Sequence, residues 1–257
     1  MPLTAILSDI HSNLAALTAV IADLREHKAD RIVCLGDVIG YGPQPLQCVD
    51  IARKEFDFTI LGNHEEAVLY GAVGFNPKAK AAVDWTRDQF HLESEAEEDR
   101  DGRWQFLGDM PISVEEEDDN VQFVHGSPRQ PTIEYILRED IYNGAYDKFE
   151  EIFASFEKCL FVGHSHTPCV ISEDLEYFTV KDLDYQFAYE DATKKYIVNV
   201  GSVGQPRDND TRACYVEIDQ NNIYFRRVEY DYKATANRIF QIERLSDKLG
   251  HRLTKGV

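Results

Sequence analysis

The sequence predicts an α/β fold, a layered sheet with helices packed on it. Two observations carry that expectation. Short apolar runs alternate with amphipathic stretches, and run after run ends abruptly on an Asp, Asn or His. In sheets of this class, sites collect beyond the carboxyl ends of the strands.

Residues 3–7 form the first apolar run, with Asp9 and His11 just past its end. Residues spaced i, i+2 on extended chain point the same way, so this carboxylate and imidazole can reach one metal ion together. Residues 13–27 are apolar at Leu14, Leu17, Val20, Ile21 and Leu24, the one-face spacing of a helix. The second strand covers 31–36 and delivers Asp37. The prolines of the turn-rich loop 40–45 lead into a helix over 46–54. A third strand over 58–62 ends on Asn63 and His64.

The spacing then predicts a helix over 77–90 with Trp85 in the core. The acidic run 93–101 reads as a solvated loop or frayed helix end. The acidic cluster 115–119 reads as a hairpin tip before the strand 121–124, since it lacks the spaced pattern of a calcium loop. His125 follows that strand. A helix over 148–156 carries Phe149, Ile152, Phe153 and Phe156 on its core face. The strand 159–163 delivers His164 and His166, again at i, i+2. A strand over 197–200 runs into the loop 201–208, a hairpin of 213–219 and 223–229 turns at 220–222, and a closing helix covers 234–249.

A chain of 257 residues buries a core readily, and it is expected to form one domain over 1–257. With 46 acidic against 27 basic residues, its formal net charge is −19. Such a surface repels nucleic-acid polymers and anionic membranes, so an anionic substrate needs a local source of positive charge that bound metal could supply. No stretch is long and apolar enough to span a bilayer, and the N-terminal residues lack the order of a signal peptide. Five scattered cysteines, many in apolar runs, fit buried free thiols, and the expected location is cytoplasmic. Whether the chain forms a homo-oligomer is left open.

Of eight histidines, His11, His64, His125, His164 and His166 directly follow apolar strands. His27, His91 and His251 lie in polar, helical or terminal sequence and read as ordinary surface residues. Joined by Asp9, Asp37 and Asn63, the strand-end set offers mixed N and O ligands suited to Mn, Fe or Zn rather than calcium. The set is too large for a single tetrahedral ion, and two metals are the natural count.

Asp9-x-His11, Gly36-Asp37, Gly62-Asn63-His64-Glu65, His125-Gly126 and Gly163-His164-x-His166, in that order, resemble the calcineurin-like metallophosphoesterase family. The wording at 8–14, 36–43 and 199–208 is similar to its small bacterial phosphodiesterases and phosphatases. The likeness spans residues 5 to about 208. It implies a four-layer α-β-β-α sandwich of two mixed sheets flanked by helices, with a dinuclear centre of divalent or mixed-valence ions. Asp9, His11 and His166 would hold one ion, Asn63, His125 and His164 the other, and Asp37 would bridge both.

By the same resemblance, a metal-bridging hydroxide would attack phosphorus in line, opposite the leaving oxygen. His64, a non-ligand, would steady that oxygen or protonate it, and Glu65 would help orient His64. Two divalent ions less the charges of Asp9 and Asp37 leave a site of about +2. Tyr41 and Arg207 fall in loops expected near the metals, where Arg207 could bind substrate phosphate through its planar fork. Ser12 and Val200 depart from the commonest family wording, but neither supplies a ligand. No cap insertion is present, so substrate choice falls to loops such as 40–45, 70–76 and 127–145.

The expected function is hydrolysis of a small phosphodiester, phosphomonoester or nucleotide polyphosphate. The alternatives are a non-catalytic scaffold of the same fold and a nuclease. Retention of His64 speaks against the scaffold, and the acidic surface against the nuclease.

Overall fold

The computed structural model describes residues 3–92, 96–116, 120–189, 194–220 and 222–257. Two mixed six-stranded sheets face one another. The first contains β1 (Thr4–Leu7), β2 (Arg31–Cys34), β3 (Phe58–Thr59), β9 (Gln186–Ala188), β11 (Ala213–Ile218) and β12 (Asn222–Val228), in the order β3-β2-β1-β11-β12-β9. The second contains β4 (Ser113–Glu116), β5 (Val121–Val124), β6 (Cys159–Val162), β7 (Cys169–Ser172), β8 (Tyr177–Thr179) and β10 (Tyr196–Asn199), in the order β4-β5-β6-β10-β7-β8. Strands β1, β2 and β3 run parallel, as do β5, β6 and β10.

Alternation along each strand builds the layers. On β1, Ile6 enters the core between the sheets, while Ala5 and Leu7 join the core under the helices. On β6, Cys159 and Phe161 face the other sheet, and Leu160 and Val162 pack in the opposite core. Strands buried on both faces read as continuous apolar runs, which is why the sequence marks them so plainly. Helices α1 (Leu14–His27) and α2 (Pro45–Glu55) cover the first sheet through Leu17, Val20, Leu24 and Val49. Helix α7 (Tyr146–Ala154) covers the second through Phe149 and Ile152. The fold is therefore the predicted four-layer α-β-β-α sandwich.

Several expectations need correction. The third strand stops after Thr59: Ile60 still donates to the Cys34 carbonyl at 2.9 Å, but Leu61 turns away to Pro111 at 2.7 Å. The acidic run, expected as a solvated loop or frayed helix end, opens a regular helix of its own. Residues 93–95 fall outside the described part, whereas Glu97, Glu98 and Asp99 open helix α5 (Glu97–Gly108), where acidic side chains favour the helix dipole. The closing helix is two pieces, α8 (Tyr232–Phe240) and α9 (Asp247–Leu253). The break lets Ile239, Leu249 and Leu253 all pack around Trp85, and Gly250 lies against the Phe240 ring.

The remaining helices are α3 (Asn63–Tyr70), α4 (Pro77–Gln89) and α6 (Arg138–Tyr142). Strands β4 and β5 form the expected antiparallel pair, but Glu115 and Glu116 belong to β4 and not to the tip expected over 115–119; residues 117–119 and 221 lie outside the described part. The cysteines are all free and buried. Among the described residues no helix is long and apolar enough to cross a membrane.

Phe123 sits between the sheets with no exposed surface, its ring 5.5 Å from Phe58 and 5.6 Å from Phe161. Phe123→Ala should lower the unfolding free energy by about 3–5 kcal/mol in urea titration, through lost burial and the cavity left behind.

Candidate functional site

The parallel strands of both sheets end at one edge, and the strand-end residues converge there. Asp9, His11 and His166 bring ligand atoms within 4.8 Å of one another, as do Asp37, His125 and His164. His11, Asp37 and His64 form a third such group. Every proposed metal-site residue except the half-buried Asn63 is buried.

Proton positions decide what this cluster can do. His11 Nδ1 lies 3.2 Å from the Ile39 carbonyl and His166 Nδ1 lies 2.6 Å from that of Gln205. A carbonyl can only accept, so each Nδ1 carries the proton and donates. The Nε2 atoms of these two rings are then bare lone pairs when the rings are neutral, yet they face each other at 3.1 Å. The second group repeats the arrangement. His125 Nδ1 donates to Leu35 O (2.7 Å) and His164 Nε2 to Ile133 O (3.2 Å). This turns His125 Nε2 and His164 Nδ1 inward at 3.1 Å, with Asn63 Oδ1 also 3.1 Å from His125 Nε2.

Burial holds these imidazoles neutral. It pushes His11 well below its usual value, helped by the charges of His166 and His64, and lowers His125 and His166 too. It takes His164 down to about 3. Facing lone pairs repel, and an electron-pair acceptor between them removes the conflict. A divalent cation fits both groups on this ground.

The carboxylates are divided in the same way. Asp9 Oδ2 accepts the His164 amide at 3.0 Å, leaving Oδ1 without a hydrogen-bond partner and 3.2 Å from His166 Nε2. Asp37 Oδ1 accepts the His64 amide at 2.9 Å, while Oδ2 stands 3.7 Å from His11 Nε2 and 3.5 Å from His125 Nε2. Burial, then the charges of Glu65 and Asp9, hold the Asp37 carboxyl well above the usual carboxylate range. At Asp9 burial acts in the same sense, and the group is drawn low only by positive charge on His166 and then on His125 and His11, charge that those rings lack when neutral.

The backbone is forced to make these approaches. Asp9, His11, Asp37, His164 and His166 all have positive φ between 48° and 63°, a conformation that side chains other than glycine adopt at a cost. Close packing adds a second constraint: a Cβ on Gly163 would overlap Ser8 Oγ and come 2.6 Å from Asp9 Oδ2 and 2.9 Å from Ser8 Cβ.

Glu65 does not orient His64. Its buried carboxylate instead accepts the amides of Asp37 (2.8 Å), Ile39 (3.0 Å) and Gly62 (3.1 Å), fixing the loop that presents Asp37. Burial raises it to about 7 despite those bonds. The His64 ring is buried with Nδ1 unpartnered, edge-on to Tyr41 (4.2 Å between centroids) and Phe75 (5.2 Å). Arg207 is half-buried at the margin, with Nη2 2.8 Å from Gln205 Oε1, near enough for its charge to act on His11, His64 and His166.

Sequence reasoning did not single out Tyr135, stacked on His164 at 3.8 Å between centroids, or Arg252, whose Nη1 lies 3.4 Å from Gln205 Oε1. Tyr135 falls in a loop named for substrate choice but without a motif, and Arg252 sits on the last helix with no local signal.

This fold and this edge define a class of protein. Residues 3–195 match the calcineurin-like phosphoesterases, and the chain belongs to that family, whose members are metal-dependent hydrolases of phosphoric esters. More particularly, the chain is 36% identical over 263 aligned positions to the uncharacterized protein MJ0912 of Methanocaldococcus jannaschii, covering 98% of this chain and 97% of that one. It is similar to the crystal structure of a metallophosphoesterase from Sphaerobacter thermophilus (33% identity, TM-score 0.78, 100% and 99% of the two chains). The hypothetical protein PH1004 of Pyrococcus horikoshii shares the fold at 21% identity and TM-score 0.74, over 100% and 99% of the two chains.

Gly163→Ala should push on Ser8 and Asp9 together, displacing the Asp9 carboxylate and lowering the melting temperature. Metal analysis of the purified variant should then show a clear loss of bound transition metal against wild type.

Proposed function

We propose that the protein is a dinuclear metal-dependent phosphoesterase acting on a small phosphodiester, phosphomonoester or nucleotide polyphosphate. Asp9, His11 and His166 hold one ion, Asn63, His125 and His164 hold the other, and Asp37 serves both. The observation that carries this reading is the position of Asp37 Oδ2 between two separate sets of inward lone pairs. Mixed nitrogen and oxygen donors suit Mn, Fe or Zn. When bound, such ions neutralise charge on the phosphate and lower the pKa of water, making it a nucleophile near neutral pH.

The chain's own groups do the rest. The carbonyls of Ile39, Gln205, Leu35 and Ile133 fix four imidazoles in one tautomer each. His64 steadies the oxygen that leaves or donates a proton to it, and Arg207 at the margin binds phosphate oxygens. A cleft of ≈ 290 Å³ beside His164, reached by loops 40–45, 70–76 and 127–145, gives a small organic group a place to lie. A single folded domain over 1–257 and a cytoplasmic setting are consistent with this role.

Metal-stripped protein should turn over bis(p-nitrophenyl) phosphate or p-nitrophenyl phosphate only after manganese is restored. Absence of turnover with manganese bound overturns the reading. His64→Ala should keep its metal and lose ~10²-fold or more in turnover. Asp37→Asn should bind fewer than two ions per chain by metal analysis, and full occupancy would rule out the bridging role.

A further inference from the structure

Arg207 and Arg252 form a cationic pair with no acidic counterpart. Gln205 Oε1 accepts from Arg207 Nη2 at 2.8 Å, from Arg207 Nε at 3.3 Å and from Arg252 Nη1 at 3.4 Å, so two guanidiniums converge on one neutral oxygen. Like charges held together need an anion to offset them. Among the described residues neither arginine has a carboxylate partner, in a chain where acids outnumber bases 46 to 27. The acids nearest in sequence are engaged elsewhere: Asp208 pairs with Arg227, and Asp210 with Arg212 at 2.6 Å. Burial, then the charge of Arg207, hold the Arg252 guanidinium below its usual value.

The pair adjoins the aromatic cleft. Tyr41 and Tyr135 line that cleft, and both lie within electrostatic reach of Arg207 and Arg252. Its rim exposes apolar surface that the fold does not need, with Val73 89% and Ile133 58% exposed. A ligand for the whole surface therefore carries a flat apolar group at one end and negative charge beyond the reacting phosphorus. On the phosphoesterase reading the metal ligands would take the reacting phosphate, which leaves Arg207 and Arg252 to a second one.

We infer that the substrate is a nucleotide with at least two linked phosphates, the second held by Arg207 and Arg252 and the base lying in the cleft of Tyr41, Phe75 and Tyr135. This deepens the phosphoesterase reading and rests on it. A free nucleotide rather than a polymer end is favoured because the −19 net charge repels long nucleic acid. Arg252 becomes the residue that distinguishes diphosphate from monophosphate ligands. Its fork supplies charge-assisted hydrogen bonds whose loss typically weakens binding by roughly tenfold or more.

The test is calorimetric binding of three probes to manganese-loaded protein: α,β-methylene-ADP, AMP and methylene bisphosphonate. Wild type should bind α,β-methylene-ADP at least tenfold tighter than either of the others. Arg252→Gln should bring α,β-methylene-ADP to within about twofold of AMP, with AMP affinity, manganese content and melting temperature unchanged, and Arg252→Lys should restore part of the preference. An undiminished preference in Arg252→Gln, or none in wild type, overturns the arginine subsite. Equal binding of methylene bisphosphonate and α,β-methylene-ADP overturns the base cleft. Turnover of either generic ester, bis(p-nitrophenyl) phosphate or p-nitrophenyl phosphate, measured alongside, separates the two claims. Its absence defeats the phosphoesterase reading while leaving the binding contrast as measured, and its presence without the contrast defeats this inference alone.

Discussion

Facing lone pairs are the constraint on which the rest of this structure depends. Four imidazoles are pinned from outside by hydrogen bonds to main-chain carbonyls, and this settles which nitrogen of each neutral ring points inward. Ring rotation could relieve the repulsion between His11 and His166, or between His125 and His164, only by breaking one of those buried bonds. Breaking such a bond leaves a buried carbonyl or N–H unsatisfied, at about 1–3 kcal/mol each. The arrangement therefore stores its conflict until a cation resolves it. Binding energy for metal is built in by the carbonyls, not by the ligands alone.

The same logic accounts for the distorted backbone. Residues with positive φ cost of order 1–3 kcal/mol where the side chain is not glycine, and here they fall on Asp9, His11, Asp37, His164 and His166. A strand carried straight on would send alternate side chains to opposite faces of its sheet. Turning the backbone at the strand end swings each ligand toward the gap between the two sheets instead. The surroundings hold it there: Ser202 Oγ donates to the Asp9 carbonyl at 2.8 Å, and Glu65 gathers three amides around the Asp37 turn. Glu65 is a buried acid that contributes no ligand but sets the position of one.

How much of this could be read from the sequence follows from where the information is local. The strands β1, β5, β6 and β10 are buried on both faces and β2 at its carboxyl end, so each appears as a short apolar run, and Asp9, His11, Asp37, His125, His164 and His166 sit a residue or a few past such a run. Strands β8 and β9 go unmarked because their sequence is polar and aromatic-rich without clear alternation, whereas β7 is a buried apolar run like the others and is missed all the same. The split of the last helix depends on packing against Trp85, which no local pattern in 234–249 encodes. Glu65 was assigned to the wrong partner for a related reason. Its neighbour His64 is close in sequence, whereas the Asp37 and Ile39 amides lie 28 and 26 residues away.

Charge distribution links the site to the chain as a whole. Several arginines away from the metal edge are matched with acids: Arg103 with Asp50 at 2.7 Å, Arg226 with Glu217 at 2.7 Å, Arg212 with Asp210 at 2.6 Å. The large acidic excess then remains on the surface, where it opposes the approach of any anion over distances of about a Debye length. At the strand-end edge the sign would be reversed by metal held in the histidine clusters and by two guanidiniums that converge on Gln205 without an acid between them. A ligand presenting a single phosphate gains from the first source alone, against a field that repels it everywhere else. One presenting two phosphates gains from both, and the same surface that keeps out polymers thereby favours compact, highly charged esters.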